Sequence, residues 1–204
     1  MENSEFIRNE KSIKEYVRNY PVSFMLILIC LVMFLIEYCV INFGKEDTIQ
    51  QFFFMLAVNE GLLDGEIWRI ITSPFAHVNL LHLSGNIGGL LIFSSFLESR
   101  IGLLKYCILF LGSICFVGIV VAFIGNPAMG MSGFIFSCLM YCLLYSRQQK
   151  NNINELDKKM VFSFLIFNIV ITFIIPNISI SGHLSGLLIG AVSYYIFEKL
   201  PLGR

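Results

Sequence analysis

Runs of about 20 apolar residues recur along this chain of 204, and no other feature limits the fold as strongly. A helix of about 20 residues, rising 1.5 Å per residue, is what crosses the roughly 30 Å hydrocarbon layer of a bilayer. By that ruler six segments qualify, approximately 22–43, 80–98, 102–124, 132–146, 160–176 and 182–198. The fourth has only 15 residues and begins at a glycine-rich turn. Composition agrees: 56% of residues are hydrophobic and 14% charged, where soluble domains carry about 25% charged, and mean hydropathy is +0.77. The expected fold is all-α, a polytopic membrane protein built as a six-transmembrane-helix bundle. Its divisions are a tail at 1–20, a membrane domain at 21–200 and a short tail at 201–204.

The one long connection, 44–79, carries Phe52, Phe53, Phe54, Leu56, Leu62, Leu63 and Trp68. It is expected to lie in the membrane interface with Trp68 as an anchor. The first apolar run exceeds 20 residues and lacks a small-residue cleavage site, so it reads as a retained span and not a signal peptide. Cys30, Cys39, Cys107, Cys115, Cys138 and Cys142 all fall in apolar runs and none forms a C-x-x-C pair, so they read as small hydrophobes. The 14 basic and 14 acidic residues cancel, which removes the electrostatic footprint that nucleic-acid binding needs.

Six spans put both termini on one side. Basic residues then segregate: Arg8, Lys11, Lys14, Arg18, Arg100, Lys105, Arg147, Lys150, Lys158, Lys159, Lys199 and Arg204 fall on the side of the termini, and only Lys45 and Arg69 on the other. Cytoplasmic loops hold the excess of Lys and Arg, so both termini are expected in the cytoplasm.

Polar side chains in hydrocarbon are costly and point to function. His82 and Asn86, four residues apart, share one face of span 2. Ser132 opens span 4 within Gly130-Met131-Ser132-Gly133, and His183 opens span 6 within Ser181-Gly182-His183-Leu184-Ser185-Gly186. Asn86 lies 12 residues from Glu98, Ser132 lies 15 from Arg147 and His183 lies 15 from Glu198. At about 1.5 Å per residue these are roughly 18 to 23 Å from the cytoplasmic ends, a shared depth in the outer half. Taken singly, each has an ordinary reading: a serine bonded to its own helix, a histidine as interhelical glue, glycines as a packing face. Together they permit one site, and the Gly182, Gly186, Gly190 ladder would bring span 6 against a neighbour.

A serine hydroxyl becomes an effective nucleophile when a base takes its proton, and neutral imidazole is the usual base. His183 is available to Ser132, and spans 4 and 6 hold no Asp or Glu at this depth, so the expectation is a Ser-His dyad. Glu37, in the middle of span 1, reads as a packing or hydration residue. Donors for a developing oxyanion would come from the first N–H groups of span 4, from Asn86 and from His82. Gly130 and Gly133 allow close backbone approach.

These pieces in this order resemble the rhomboid family of intramembrane serine proteases: Trp68-Arg69 in the first loop, His82-x-x-x-Asn86 on span 2, Gly130-Met131-Ser132-Gly133 opening span 4 and Gly182-His183-Leu184-Ser185-Gly186 opening span 6. The resemblance covers about residues 20–200. It implies Ser132 as nucleophile, His183 as general base, Asn86 and His82 as oxyanion donors, and structural roles for Trp68, Arg69, Gly130, Gly133 and Gly186. Phe136 stands where many members have an aromatic packed on the catalytic imidazole. Met131 and Ser185 replace smaller residues common at those positions, and His77 matches a frequent histidine that reads as serving loop structure. The implied reaction is hydrolysis of a peptide bond in or near another protein's transmembrane segment, close to the outer face, with no cofactor and no metal. Span 5, with Phe162, Phe164, Phe167 and Phe173, resembles the helix that tilts for lateral entry; its composition gives only a lipid-facing aromatic helix.

Three other classes fit part of the pattern. A transporter or channel could line an outer vestibule with His82, Asn86, Ser132 and His183, but no inverted repeat or buried charge pair is evident. A metal site from His77, His82 and His183 lacks a carboxylate base and any H-E-x-x-H pattern. An inactive rhomboid-like binding protein would be expected to lack a dyad residue, and both are present.

Overall fold

In the computed structural model, which describes residue 6 and residues 10–124, 127–148, 153–176 and 178–199, the apolar runs are helices. In chain order these are α1 (Ile13–Asn19), α2 (Pro21–Phe43), α3 (Glu46–Leu56), a 3-10 turn at Glu60–Leu62, α4 (Arg69–Thr72), a second 3-10 turn at Ser73–Phe75, α5 (Leu80–Gly89), a π-helical segment at Leu90–Ser94, α6 (Ser95–Ile101), α7 (Leu103–Ile124), α8 (Ser132–Gln148), α9 (Glu155–Ile174) and α10 (Ile180–Lys199). Among the described residues the only β pairing is an isolated bridge between Val58 and Ala128. The expected tail at 201–204 lies outside the described residues, as do Arg8 and Lys150.

Among the described residues, four helices are long and apolar enough to cross a membrane: Pro21–Phe43, Leu80–Ile101, Leu103–Ile124 and Ile180–Glu198. The chain is thus an integral, multi-pass, all-helical membrane protein. Helix α8 has only 17 residues, about 25 Å of rise, and α9 opens on Glu155, Asp157, Lys158 and Lys159. Helix α8 needs little lipid-facing character because its neighbours surround it: every residue from Gly133 to Leu143 except Met140 is buried. Apolar side chains of α2 and α7 such as Met25, Leu35, Leu104 and Leu111 stay exposed, the faces left for lipid.

A helix start in an apolar setting leaves N–H groups that water cannot reach. Helix α2 begins at Pro21, which has no N–H to satisfy, and the buried Glu98 accepts from the backbone N–H of Val22 at 2.9 Å and of Ser23 at 2.8 Å. At the same end of the bundle Lys105 donates to the Phe197 carbonyl and Tyr141 donates to Glu198. That end therefore gathers the start of α2, the end of α6, the start of α7 and the ends of α8 and α10. The opposite end holds the segment between α2 and α5.

Three expectations change. The 44–79 connection, expected as one long loop, contains helical elements, α3, α4 and the two 3-10 turns, and Arg69, 1% exposed, knits it by pairing with Glu66 and donating to the Ala57 carbonyl at 2.8 Å. The fifth helix begins at Glu155, five residues before the apolar run, because Asn154 caps it by accepting from the Asp157 N–H and acidic residues suit a helix start. Of its phenylalanines, Phe162, Phe167 and Phe173 are exposed, but Phe164 turns inward onto Phe93 with ring centroids 5.0 Å apart.

Candidate active site

The site begins at a turn only glycine adopts easily. Gly130 has φ of +106°, in the left-handed region, and its N–H donates to the Ser73 carbonyl at 2.7 Å. With the Val58–Ala128 bridge this ties the segment before α8 to the connection after α2, and α8 then starts at Ser132. A Cβ on Gly130 would lie 2.7 Å from His82 Nε2 and 3.4 Å from Asn86 Nδ2. Both side chains of α5 thus face the turn two residues before Ser132.

Helix α10 reaches the site by packing backbone to backbone on α8. A Cβ on Gly186 would collide with the Gly133 carbonyl oxygen, and one on Gly190 with the Ser137 carbonyl oxygen. The ladder of small residues is a close-packed face, as in membrane helix pairs generally. His183, one turn above Gly186, is thereby set against the first residue of α8: its Nε2 lies 2.8 Å from Ser132 Oγ. Phe136, one turn further along α8, stacks on the His183 ring with centroids 4.1 Å apart and planes inclined by 16°. Its place in the sequence pattern anticipated this contact.

Spacing alone gave no sign of Thr172. This residue of α9 is buried, and its Oγ1 lies 2.7 Å from His183 Nδ1. A threonine inside an apolar run reads as bonded to its own helix, which it also is, through the Asn168 carbonyl at 2.6 Å.

Asn86 Nδ2 and His82 Nδ1 are buried with no hydrogen-bond partner among the described residues. Asn79 fixes the start of α5 by accepting from the His82 N–H at 2.8 Å. Glu37 has a structural place: its carboxylate accepts from the His77 backbone N–H at 3.0 and 3.1 Å, pinning the segment before α5 to α2. His77 is fully buried and its Nδ1 bonds the Phe75 carbonyl at 2.9 Å. Burial pushes its imidazole down to about 4, with neighbouring His82 adding to the effect and the Phe75 bond opposing it. His77 and His82 sit edge to face at 5.1 Å, while His183 is engaged by Ser132 and Thr172, and among the described residues no three His, Cys, Asp or Glu side chains are grouped to hold a metal. Trp68 is 45% exposed, and Gly133 serves the contact with α10.

The arrangement offers a hydroxyl with an imidazole against it at the start of a helix, and unpaired amide and imidazole nitrogens beside the preceding turn. A model of the rhomboid domain matches residues 64–199. The chain is 27% identical to the rhomboid protease GlpG of Haemophilus influenzae, over 88% of this chain and 92% of that protein. It is 28% identical to the putative rhomboid protease YdcA of Bacillus subtilis, over 89% of this chain and 90% of the relative. It is also 34% identical to the inactive RHOMBOID-like protein 8 of Arabidopsis thaliana, over 51% of this chain and 30% of the relative.

Proposed function

Since the chain belongs to the rhomboid family, we propose that it is an intramembrane serine endopeptidase, acting through Ser132 and His183 on transmembrane segments of other proteins. The observation that carries this reading is the 2.8 Å approach of His183 Nε2 to Ser132 Oγ across two helices in backbone contact. Such an approach is the nucleophile–base geometry that acyl transfer requires, and it favours activity over the inactive reading that one relative's name raises.

Ser132 Oγ attacks the scissile carbonyl carbon while its proton passes to His183 Nε2. The carbonyl oxygen gains negative charge and is met by the unpartnered N–H groups at the start of α8, by Asn86 Nδ2 and by His82. As the C–N bond breaks, the imidazolium returns the proton to the leaving amine. Water, deprotonated by the same imidazole, then attacks the acyl carbon, and the imidazolium returns that proton to Ser132 Oγ as the acyl–oxygen bond breaks. Phe136 holds the ring plane through both proton transfers. No step calls for a cofactor or a metal.

The membrane domain occupies residues 21–200 as six spans, with α8 and α9 completing the four that length and composition identify. Both termini are cytoplasmic by the basic-residue asymmetry, and the site opens toward the outer side. Substrates are single-span or other transmembrane proteins whose helix is weak near the cut, since a peptide bond within a stable helix is shielded. The test is cleavage of a model single-span substrate in proteoliposomes by the wild type, Ser132→Ala and His183→Ala. The reading expects cleavage by the wild type alone; cleavage that survives Ser132→Ala contradicts it.

A further inference from the structure

We propose that Thr172 is a positioning residue for His183: its hydroxyl fixes the imidazole in the tautomer able to take the Ser132 proton, making the seating of α9 a condition for catalysis. This rests on Ser132 and His183 being nucleophile and base.

Proton counting gives the tautomer. Thr172 Oγ1 lies 2.6 Å from the Asn168 carbonyl oxygen and 2.7 Å from His183 Nδ1. A hydroxyl has one proton and a carbonyl oxygen only accepts, so the hydroxyl proton goes to Asn168. Oγ1 then meets Nδ1 as an acceptor, and Nδ1 carries a hydrogen. A neutral imidazole protonated at Nδ1 has a bare lone pair at Nε2, the atom that faces Ser132 Oγ. The opposite tautomer would present an N–H to the serine and could not act as base. When Nε2 takes the proton, the Nδ1–H to Oγ1 bond becomes charge-assisted and strengthens, so Thr172 does with a neutral oxygen what a carboxylate does in a triad. With Thr172 3% exposed, water does not replace it.

The bond also joins elements of unequal anchorage. Helices α8 and α10 are in backbone contact, whereas from Leu165 to its end α9 buries only Leu165 and Thr172, with Ile166, Phe167, Val170, Phe173 and Ile174 exposed. Among the described residues, Thr172–His183 is the one side-chain hydrogen bond from that half of α9 to another helix. Displacing it unpairs Nδ1 and frees the ring to change tautomer, so turnover requires α9 in its present seat.

Thr172→Val and Thr172→Ser are assayed beside Ser132→Ala and His183→Ala, with the histidine ring nitrogens of the wild type followed by 15N NMR. Thr172→Val lowers kcat on the order of 10- to 100-fold, the range for a hydrogen bond to a charged group, with KM unchanged. Thr172→Ser restores kcat to within about threefold, and wild-type His183 is protonated at Nδ1. Full activity of Thr172→Val alongside an inactive Ser132→Ala overturns the proposal, as does a wild-type His183 protonated at Nε2. If the valine variant does not fold, the wild-type spectrum decides. Cleavage that survives Ser132→Ala instead contradicts the dyad beneath it.

Discussion

Asn86 carries a donor that meets no partner among the described residues. A buried amide N–H without a partner costs about 1–3 kcal/mol, and a side chain kept for structure alone would have found one. An oxyanion beside Ser132 would relieve it. Replacing Asn86 with Ala should lower kcat about 10²- to 10³-fold, the effect of deleting one oxyanion donor, with KM little altered. A thermal melt separates this from a structural role, because Asn86→Ala should leave Tm unchanged or raise it. His77 contributes a pH dependence of different origin. Its folded imidazole titrates near 4 against an ordinary 6.5 or so, so between those values the unfolded chain binds the extra proton. Its contribution to stability is complete above about pH 6.5 and is lost as pH falls toward 4; melting the wild type and His77→Gln from pH 7.5 to 5 should show a smaller acid-induced drop in Tm for the variant. At this scale Ser132 and His183 were legible because each sits at a countable distance from a charged helix end. Thr172 was not, because a hydroxyl that bonds its own helix gives no sign that its oxygen also accepts from another.

The contact of α10 with α8 sets the Ser132–His183 distance on which the proposed dyad depends, and it tolerates no side chain at its centre. Gly186→Val must push α10 away from the Gly133 carbonyl, so it should cost roughly 1–3 kcal/mol as overpacking. It should also abolish cleavage, because His183 rides on the displaced helix; stability and activity of the purified variant check both. The glycine ladder that predicts this face was plain in the sequence, as were the long apolar helices. Less was visible where charge or backbone geometry decides. The first turn of α9 was missed because Glu155, Asp157, Lys158 and Lys159 interrupt the apolar run, although those residues suit a capped helix start. The π-helical segment at Leu90–Ser94 leaves no pattern in side-chain type, yet it follows directly on the turn of α5 that holds Asn86, the placement in which such segments often occur. Residues 44–79 read as a loop because no apolar run there reaches spanning length, and their short elements are tied by buried bonds of Arg69 and of the His77 backbone N–H.

Across the whole molecule, the orientation inferred from basic residues can be tested at both ends of the bundle. A cysteine at Lys14 and one at Leu63, each exposed, should react from opposite sides of a sealed membrane with an impermeant thiol reagent. Leu63→Cys should be labelled in intact cells and Lys14→Cys only after permeabilisation; the reverse pattern would place the termini outside. The site belongs to the molecule as a whole, since α5, α8, α9 and α10 each supply a group and the connection after α2 holds the turn before Ser132. Its activity is most directly probed by reaction of the purified protein with a fluorophosphonate, read by intact mass and peptide mapping. One adduct on Ser132, lost or slowed at least about 100-fold in His183→Ala, is the predicted result. An adduct on another residue, or labelling of Ser132 indifferent to His183, would contradict a serine activated by that histidine.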